Sequence, residues 1–167
     1  MKASLKYIGI TFCFILASCG IYTFTGADIH PDIETISISY FNNQATLVQP
    51  MLSSKFTEAL QDRFIQQTSL ELTSKEGDLQ FEGYISDYQI KPMSITANDQ
   101  ASQNRLSITV QVSFTNLTEK DKSFKQNFSR YADFDSSTEI SSIEELLIDE
   151  IVAELIEDIF NKAVVNW

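Results

Sequence analysis

The chain is short of nearly every residue that does covalent or metal chemistry. It has one histidine, His30, and two cysteines, Cys13 and Cys19. With that inventory, nucleophilic triads and Cys/His zinc sites lack parts, and no glycine-rich phosphate loop occurs among the five glycines. Basic residues are scarce as well: 12 Lys and Arg stand against 23 Asp and Glu, for a formal net charge of −11. So acidic a surface disfavours non-specific binding to nucleic acid and to anionic head groups. Acids are plentiful enough for a hydrolytic carboxylate pair, but nothing in the sequence singles one out. The reading at this level is a protein that is not an enzyme, needs no metal or cofactor and binds no nucleic acid.

What is present begins at the N-terminus. Lys2 and Lys6 precede an apolar run from Tyr7 to Leu16, which ends in Leu16-Ala17-Ser18-Cys19. Ten apolar residues are about half of what a membrane-spanning helix needs, so the segment reads as a secretory signal. The last four residues resemble the lipobox of bacterial lipoproteins, in which the cysteine is lipidated and becomes the new N-terminus. Residues 1–18 are then a cleaved signal peptide, and residues 19–34 are a lipidated Cys19 with a short tether. Residues 35–167 are one domain. Removing Met1–Ser18 leaves 149 residues with no disulfide, and losing Lys2 and Lys6 takes the net charge to −13. Attachment therefore falls to lipid on Cys19 and not to charge, and more than one acyl chain is needed for it to be stable. Gly20 follows the cysteine and no acidic run comes after it, which by the usual sorting rules implies an outer-membrane, periplasm-facing protein. A flexible tether of this length spans roughly 20 Å, which keeps the domain near the membrane.

The domain alternates element types. From Glu34 to Phe41, Ile36, Ile38 and Tyr40 alternate with Thr35, Ser37 and Ser39, the pattern of a half-buried strand that Asn42-Asn43 breaks. Pro50 marks a helix start. Leu52, Phe56, Ala59, Leu60 and Phe64 then fall on one stripe of an amphipathic helix over Met51–Gln67. After a turn at Lys75–Asp78 comes a long strand, with Leu79, Phe81 and Gly83 on one face. Its apolar parity then changes to Tyr84, Tyr88 and Ile90, which points to a bulge near Gly83. Arg105–Phe114 alternates strictly, and Ser123–Phe134 reads as its partner strand, containing Phe124, Phe128 and Tyr131. Ser142-Ile143-Glu144-Glu145 is a capping-box pattern opening a second amphipathic helix to about Val164. The predicted fold is α+β, with two helices on one face of a mainly antiparallel four-stranded sheet in the order β-α-β-β-β-α.

Few residues stand out as candidate sites. Asp28, His30 and Asp32 have the spacing of a metal ligand set but sit in the tether beside Pro31, where an exposed loop is the simpler account. Asp133 and Asp135 flank Phe134, and a calcium site there would want more oxygens and a glycine, so a strand-end turn is the default. The seven acids of the last helix read as its solvated face. Basic residues are more telling because they are rare. If the strands pair as hairpins, Lys91 and Arg105 meet at one connection, and Lys120 and Lys122 sit at the next, at the opposite end of the shared strand. These four form a candidate cationic site for the phosphate groups of a lipid or glycolipid. Ordinary solubilising charges are the alternative.

Several segments together carry a resemblance. They are the lipobox with Gly20–Ala27, the strand Thr35–Ile38, the helix segment Phe56–Phe64, Gly77–Gly83, Phe128–Phe134 and the ending Phe160–Trp167. In this order they resemble the LptE family of lipopolysaccharide-assembly lipoproteins, in its Bacteroidetes-type form. The resemblance implies a non-catalytic protein with two helices on a small sheet, acting as plug and assembly partner of the outer-membrane β-barrel LptD. It also implies direct binding of lipopolysaccharide, the family's contacts being basic residues near one end of the sheet. Lys91, Arg105, Lys120 and Lys122 do not follow from the resemblance and rest on the patch argument alone. Another periplasm-facing adaptor, such as a pilotin or a barrel-assembly accessory lipoprotein, would share the anchor and a similar small fold.

Overall fold

The strict alternation of Leu106, Ile108, Val110, Val112 and Phe114 gives the central strand one dry face and one polar face, and the rest of the molecule is arranged around that difference. In the computed structural model, which describes residues 29–93 and 103–165, the elements run in chain order. They are β1 (Thr35–Ile38), β2 (Asn42–Asn43), α1 (Leu52–Gln67), β3 (Glu71–Leu72), β4 (Leu79–Met93), β5 (Gln103–Asn116), β6 (Phe124–Asp135) and α2 (Glu144–Val164). Short 3-10 turns at Lys120–Lys122 and Ile140–Ser142 precede β6 and α2. The predicted signal peptide, Cys19 and most of the tether lie outside the described residues. No helix among the described residues is long and apolar enough to cross a membrane.

The fold class is α+β, as the sequence predicts, but the sheet is larger and mixed. It has six strands in the order β3-β1-β4-β5-β6, with β2 also on β4. The pairs β4–β5 and β5–β6 are antiparallel, whereas β1 runs parallel to both β3 and β4, and β2 runs parallel to β4. The parallel part follows from connectivity. Helix α1 carries the chain back across the sheet between β1 and β4, which is the crossover that a parallel pair requires. Asn42-Asn43 is therefore not the break that its composition implies; it pairs with Tyr84 and Ile85. The apolar parity also slips there, so Phe41 is buried and Tyr40 is exposed.

Both helices cover one face. Leu52, Phe56, Leu60 and Phe64 of α1 are buried over the β1–β4 side of the sheet, and Leu147, Ile151, Leu155, Ile159 and Phe160 of α2 over β5 and β6. A run of phenyl rings crosses the interface from Phe160 through Phe64, Phe81, Phe114 and Phe124 to Phe128, with successive centroids 4.7–6.1 Å apart. Tilted ring pairs at this spacing contribute beyond their area burial. The expected parity change in β4 is present, but three residues later than predicted. Leu79, Phe81, Gly83 and Ile85 share the helix face, the register shifts between Ile85 and Asp87, and Tyr88 and Ile90 continue the face beyond it.

Gly83 has a different role from the predicted bulge. A Cβ there would meet Gln111 O at 2.1 Å and Phe41 Cε1 at 2.5 Å, so its bare Cα is what lets Phe41 lie against the sheet. The predicted capping box does not form either. Ser142 Oγ donates to Glu139 O, and α2 starts with no side-chain cap. Glu144 is turned instead toward the sheet, where it accepts from Tyr88 Oη at 2.6 Å and from Gln49 Nε2 at 3.2 Å.

The first strand is fastened by one carboxylate. Asp78 Oδ2 accepts from the backbone N–H groups of Glu34 and Thr35 at 3.1 and 2.9 Å and from Thr35 Oγ1 at 2.7 Å. Asp78 N–H donates back to Thr35 Oγ1 at 3.0 Å. The Thr35 hydroxyl, followed by these backbone donors, holds the Asp78 carboxyl below its ordinary value of 3.8.

Two stability predictions follow from these contacts. Gly83→Ala should lower unfolding free energy by about 3 kcal/mol, because a backbone carbonyl cannot move aside as a side chain would; urea denaturation of the two proteins measures it. Asp78→Ala should cost about 2 kcal/mol at pH 7, since hydrogen bonds to an ionised group are lost. A depressed folded pKa stabilises above the unfolded value and is lost below it, so the gap between wild type and variant should narrow as pH falls under 3.8. A gap unchanged from pH 7 to the acid limit would show that the clamp does not depend on charge.

Candidate functional site

The β4–β5 register places Lys91 directly opposite Arg105, and β5–β6 places Arg105 opposite Asp133. The three side chains thus form one row across the open face of the sheet, away from the helices. Arg105 is fixed on both sides. Its Nε and Nη2 each lie 2.7 Å from an Asp133 carboxylate oxygen, and its guanidinium carbon lies 3.5 Å from the centre of the Tyr131 ring. This two-pronged ion pair raises the Arg105 pKa and lowers that of Asp133. Lys91 is exposed and makes no ion pair among the described residues.

Lys120 and Lys122 lie at the far end of β5. Arg105 and Asn116 are eleven strand residues apart, roughly 37 Å at the usual rise. The four candidates therefore form two separate pairs, as the hairpin reading requires, and not one patch. At this second end Lys122 pairs with Glu119 at 2.9 Å, while Lys120 is exposed and makes no ion pair among the described residues. Ile29, where the described chain begins, is at this same end, beside Leu79, Asn116 and Val164. The chain thus enters at the Lys120 end and presents Lys91 and Arg105 at the opposite one.

That opposite end has apolar features that the sequence reading did not pick out. Leu47, Val48, Met51 and Leu146 are each more than half exposed, on the loop before α1 and the first turn of α2. Between the two helix starts is a groove of about 220 Å³ lined by Gln49, Met51, Lys55, Glu144, Glu145 and Ile148. Lys55 bridges the helices there, 2.6 Å from Asp149 and 3.1 Å from Glu145. Tyr131 lies on the open face as the platform for Arg105, while Ala132 takes the buried position. Its odd position, against the even Phe124 and Phe128, was the signal available in the sequence.

Of the remaining candidates, Asp28 lies outside the described residues and the others are accounted for locally. His30 Nδ1 accepts from Asp32 N–H at 3.3 Å and faces Asp32 Oδ2 at 3.7 Å, at an exposed turn. Asp135 Oδ1 accepts from Ser137 N–H and Oγ at 2.7 and 2.5 Å, closing the turn after β6. Among the described residues, no three His, Cys, Asp or Glu side chains converge as a metal site would require. The seven acids of α2 are only in part a solvated face, because Glu144, Glu145, Asp149, Glu154 and Asp158 each engage a residue on another element. Chemically, the Lys91 end can hold an anionic group beside a fixed guanidinium and a tyrosine face.

Comparison with known proteins settles the family. The sequence model of the lipopolysaccharide-assembly family LptE matches residues 33–163. The chain belongs to the LptE family. No curated protein sequence matches it. Solved structures with the same fold include the rare lipoprotein B of Shewanella oneidensis, at a TM-score of 0.51 and 11% identity, covering 77% of this chain and 92% of that one. A hypothetical protein from Chlamydia trachomatis has a TM-score of 0.52 at 9% identity, covering 80% of this chain and 99% of its own. A putative neuraminyllactose-binding hemagglutinin homolog from Helicobacter pylori has a TM-score of 0.53 at 9% identity, with 84% and 88% covered. At these identities the likeness is one of fold. This LptE-family chain shares its sheet and two-helix layer with proteins whose sequences have diverged almost completely.

Proposed function

We propose that this chain is an outer-membrane lipoprotein, attached through lipid on Cys19 and facing the periplasm, that plugs and helps assemble an LptD-type β-barrel for lipopolysaccharide transport. The observation that carries the reading is the family match over residues 33–163. The geometry is compatible with it. The chain enters the domain at one end, and the exposed apolar side chains with Lys91 and Arg105 lie at the other. A protein tethered at the first end presents the second to a partner. In this reading the protein has no catalytic step: it holds a barrel and offers a phosphate-sized anion a braced Arg105 and an exposed Lys91. Lys120 and Lys122, at the tethered end, face anionic groups nearer the membrane.

Purification of the detergent-extracted protein should bring down a large β-barrel in one-to-one amount, and depletion should reduce surface lipopolysaccharide. Cys19→Ser should release the protein from the membrane fraction. A co-purifying secretion or barrel-assembly component in place of that barrel would favour the adaptor reading. The apical cations predict opposite effects for two exposed substitutions. Lys91→Glu should weaken lipopolysaccharide binding several-fold, as expected for losing one charge contact to phosphate. Asp133→Asn should strengthen it, because Arg105 is then no longer neutralised. Direct titration with lipopolysaccharide measures both, and equal affinities across wild type and the two variants would return these residues to plain surface charge.

A further inference from the structure

A polar cavity opens where β3 ends and leaves β1 as the margin of the sheet. Its volume is about 250 Å³, below the range of sites for drug-sized ligands, so it admits a single ring. The floor is Ser37 and Ile38 of β1 with Gln80 and Glu82 of β4, and the chain at residues 73–76 forms a wall. That wall is held where the chain crosses β1. Gly77 N–H donates to Ser37 Oγ at 3.3 Å, and a Cβ on Gly77 would meet Ile36 C and Ser37 N, each at 2.8 Å. A free backbone pair faces the cavity. Ser39 N–H donates to Phe81 O on the β4 side of β1, while Ile36 O accepts from Thr73 N–H on the other side. Strand alternation turns the N–H and C=O of Ile38 to that second side, beyond the last β1–β3 pair, Ile36 and Leu72. Among the described residues no backbone hydrogen bond reaches them there. The side chains of Ser39, Ser74, Lys75 and Glu82 also have no partner among the described residues, and Gln80 uses only Nε2, donating to Gly77 O at 3.0 Å.

We propose that this cavity binds the ring of a neutral hexose, with two neighbouring hydroxyls seated on the backbone of Ile38. The N–H and C=O of one extended residue point the same way. They lie about as far apart as the oxygens of two gauche hydroxyls on a six-membered ring. One hydroxyl accepts from Ile38 N–H, and its neighbour donates to Ile38 C=O. Other ligands satisfy half of this pair. A carboxylate or a phosphate dianion accepts without donating, and a single trans amide points its own N–H and C=O in opposite directions. An added strand would supply both groups, but the wall at residues 73–76 stands across its path. The rest of the lining suits a polyol: Glu82 accepts from ring hydroxyls, Lys75 donates to them, and the presence of both signs favours an uncharged ring. Such a ring occurs as a free hexose or in the saccharide of a glycolipid, with the same hydroxyl chemistry. The inference goes beyond the barrel reading and does not rest on it; co-purification tests that reading and sugar titration tests this one.

Methyl glucopyranoside titrated into the isotope-labelled full chain in detergent should shift the NMR signals of the Ile38, Ser39 and Ser74 amides, with a millimolar dissociation constant. Its tetra-O-methyl ether keeps the ring but cannot donate, and should bind about tenfold more weakly. Ile38→Pro removes the N–H at an edge position, where proline is tolerated, and should also weaken binding about tenfold. Ile38→Val keeps the N–H and should bind as the wild type does. Glu82→Ala, at an exposed position, should weaken binding several-fold, and thermal melts check that each variant folds. Saccharide released from lipopolysaccharide by mild acid separates the two sources. Binding about tenfold tighter than the glucoside assigns the site to a glycolipid, and equal or weaker binding assigns it to a free hexose. No shift at these amides, equal affinity for the methyl ether, or unchanged affinity in Glu82→Ala together with folded Ile38→Pro would each overturn the assignment.

Discussion

The alternation along β5 is the constraint on which the rest of this structure depends. Five apolar side chains point to one side and the polar ones to the other, so the sheet can be covered on one face only. Both amphipathic helices must share that face, and the phenylalanines that join them to the sheet come from α1, α2 and every long strand. The open face is left with hydroxyls, amides and a few charges that satisfy one another across strands, as Thr109 Oγ1 does with Ser129 Oγ at 3.0 Å and Gln111 with Asn127 at 3.3 Å. A second layer there would have to bury these groups with new partners for each of them.

Charge follows the same division. The acids concentrate on α2, where several brace the fold by holding Lys55, Arg130 and Tyr88. Burial and the Glu144 carboxylate together push the Tyr88 hydroxyl well above its ordinary pKa, which keeps it a donor. The sheet face is close to neutral, and its one strong cation, Arg105, is already spent on Asp133. Lys91 and Lys120, one at each end of β5, make no ion pair among the described residues.

Periodicity made much of this legible. The two helices, the β4–β5–β6 meander and the Lys91–Arg105 pairing follow from spacings of two and of three to four residues. What it could not provide was anything set by contact between distant segments. Asn42-Asn43 reads as a break because its side chains favour turns, yet its backbone is recruited by Tyr84 and Ile85. Gly83 reads as a bulge because glycine often marks one, whereas its purpose is room for Phe41, forty-two residues earlier. Ser142 and Glu145 satisfy a local capping rule that loses to the competing attraction of Glu144 for Tyr88 and Gln49. At the candidate site the cations were visible because they are rare; Asp133 and Tyr131, which decide how much charge Arg105 has left, were not.

The Asp78 clamp has a consequence for the order in which the chain is put together. Strands β4, β5 and β6 close short loops, whereas seating β1 joins Thr35 to a carboxylate forty-three residues away, and the entropy cost of closure grows with that separation. The first strand to emerge is therefore among the last to be seated. Until β4 is in place, β1 lacks both a ladder partner and the Asp78 carboxylate that fastens its start. The meander is the scaffold, and β1 is fitted to it afterwards.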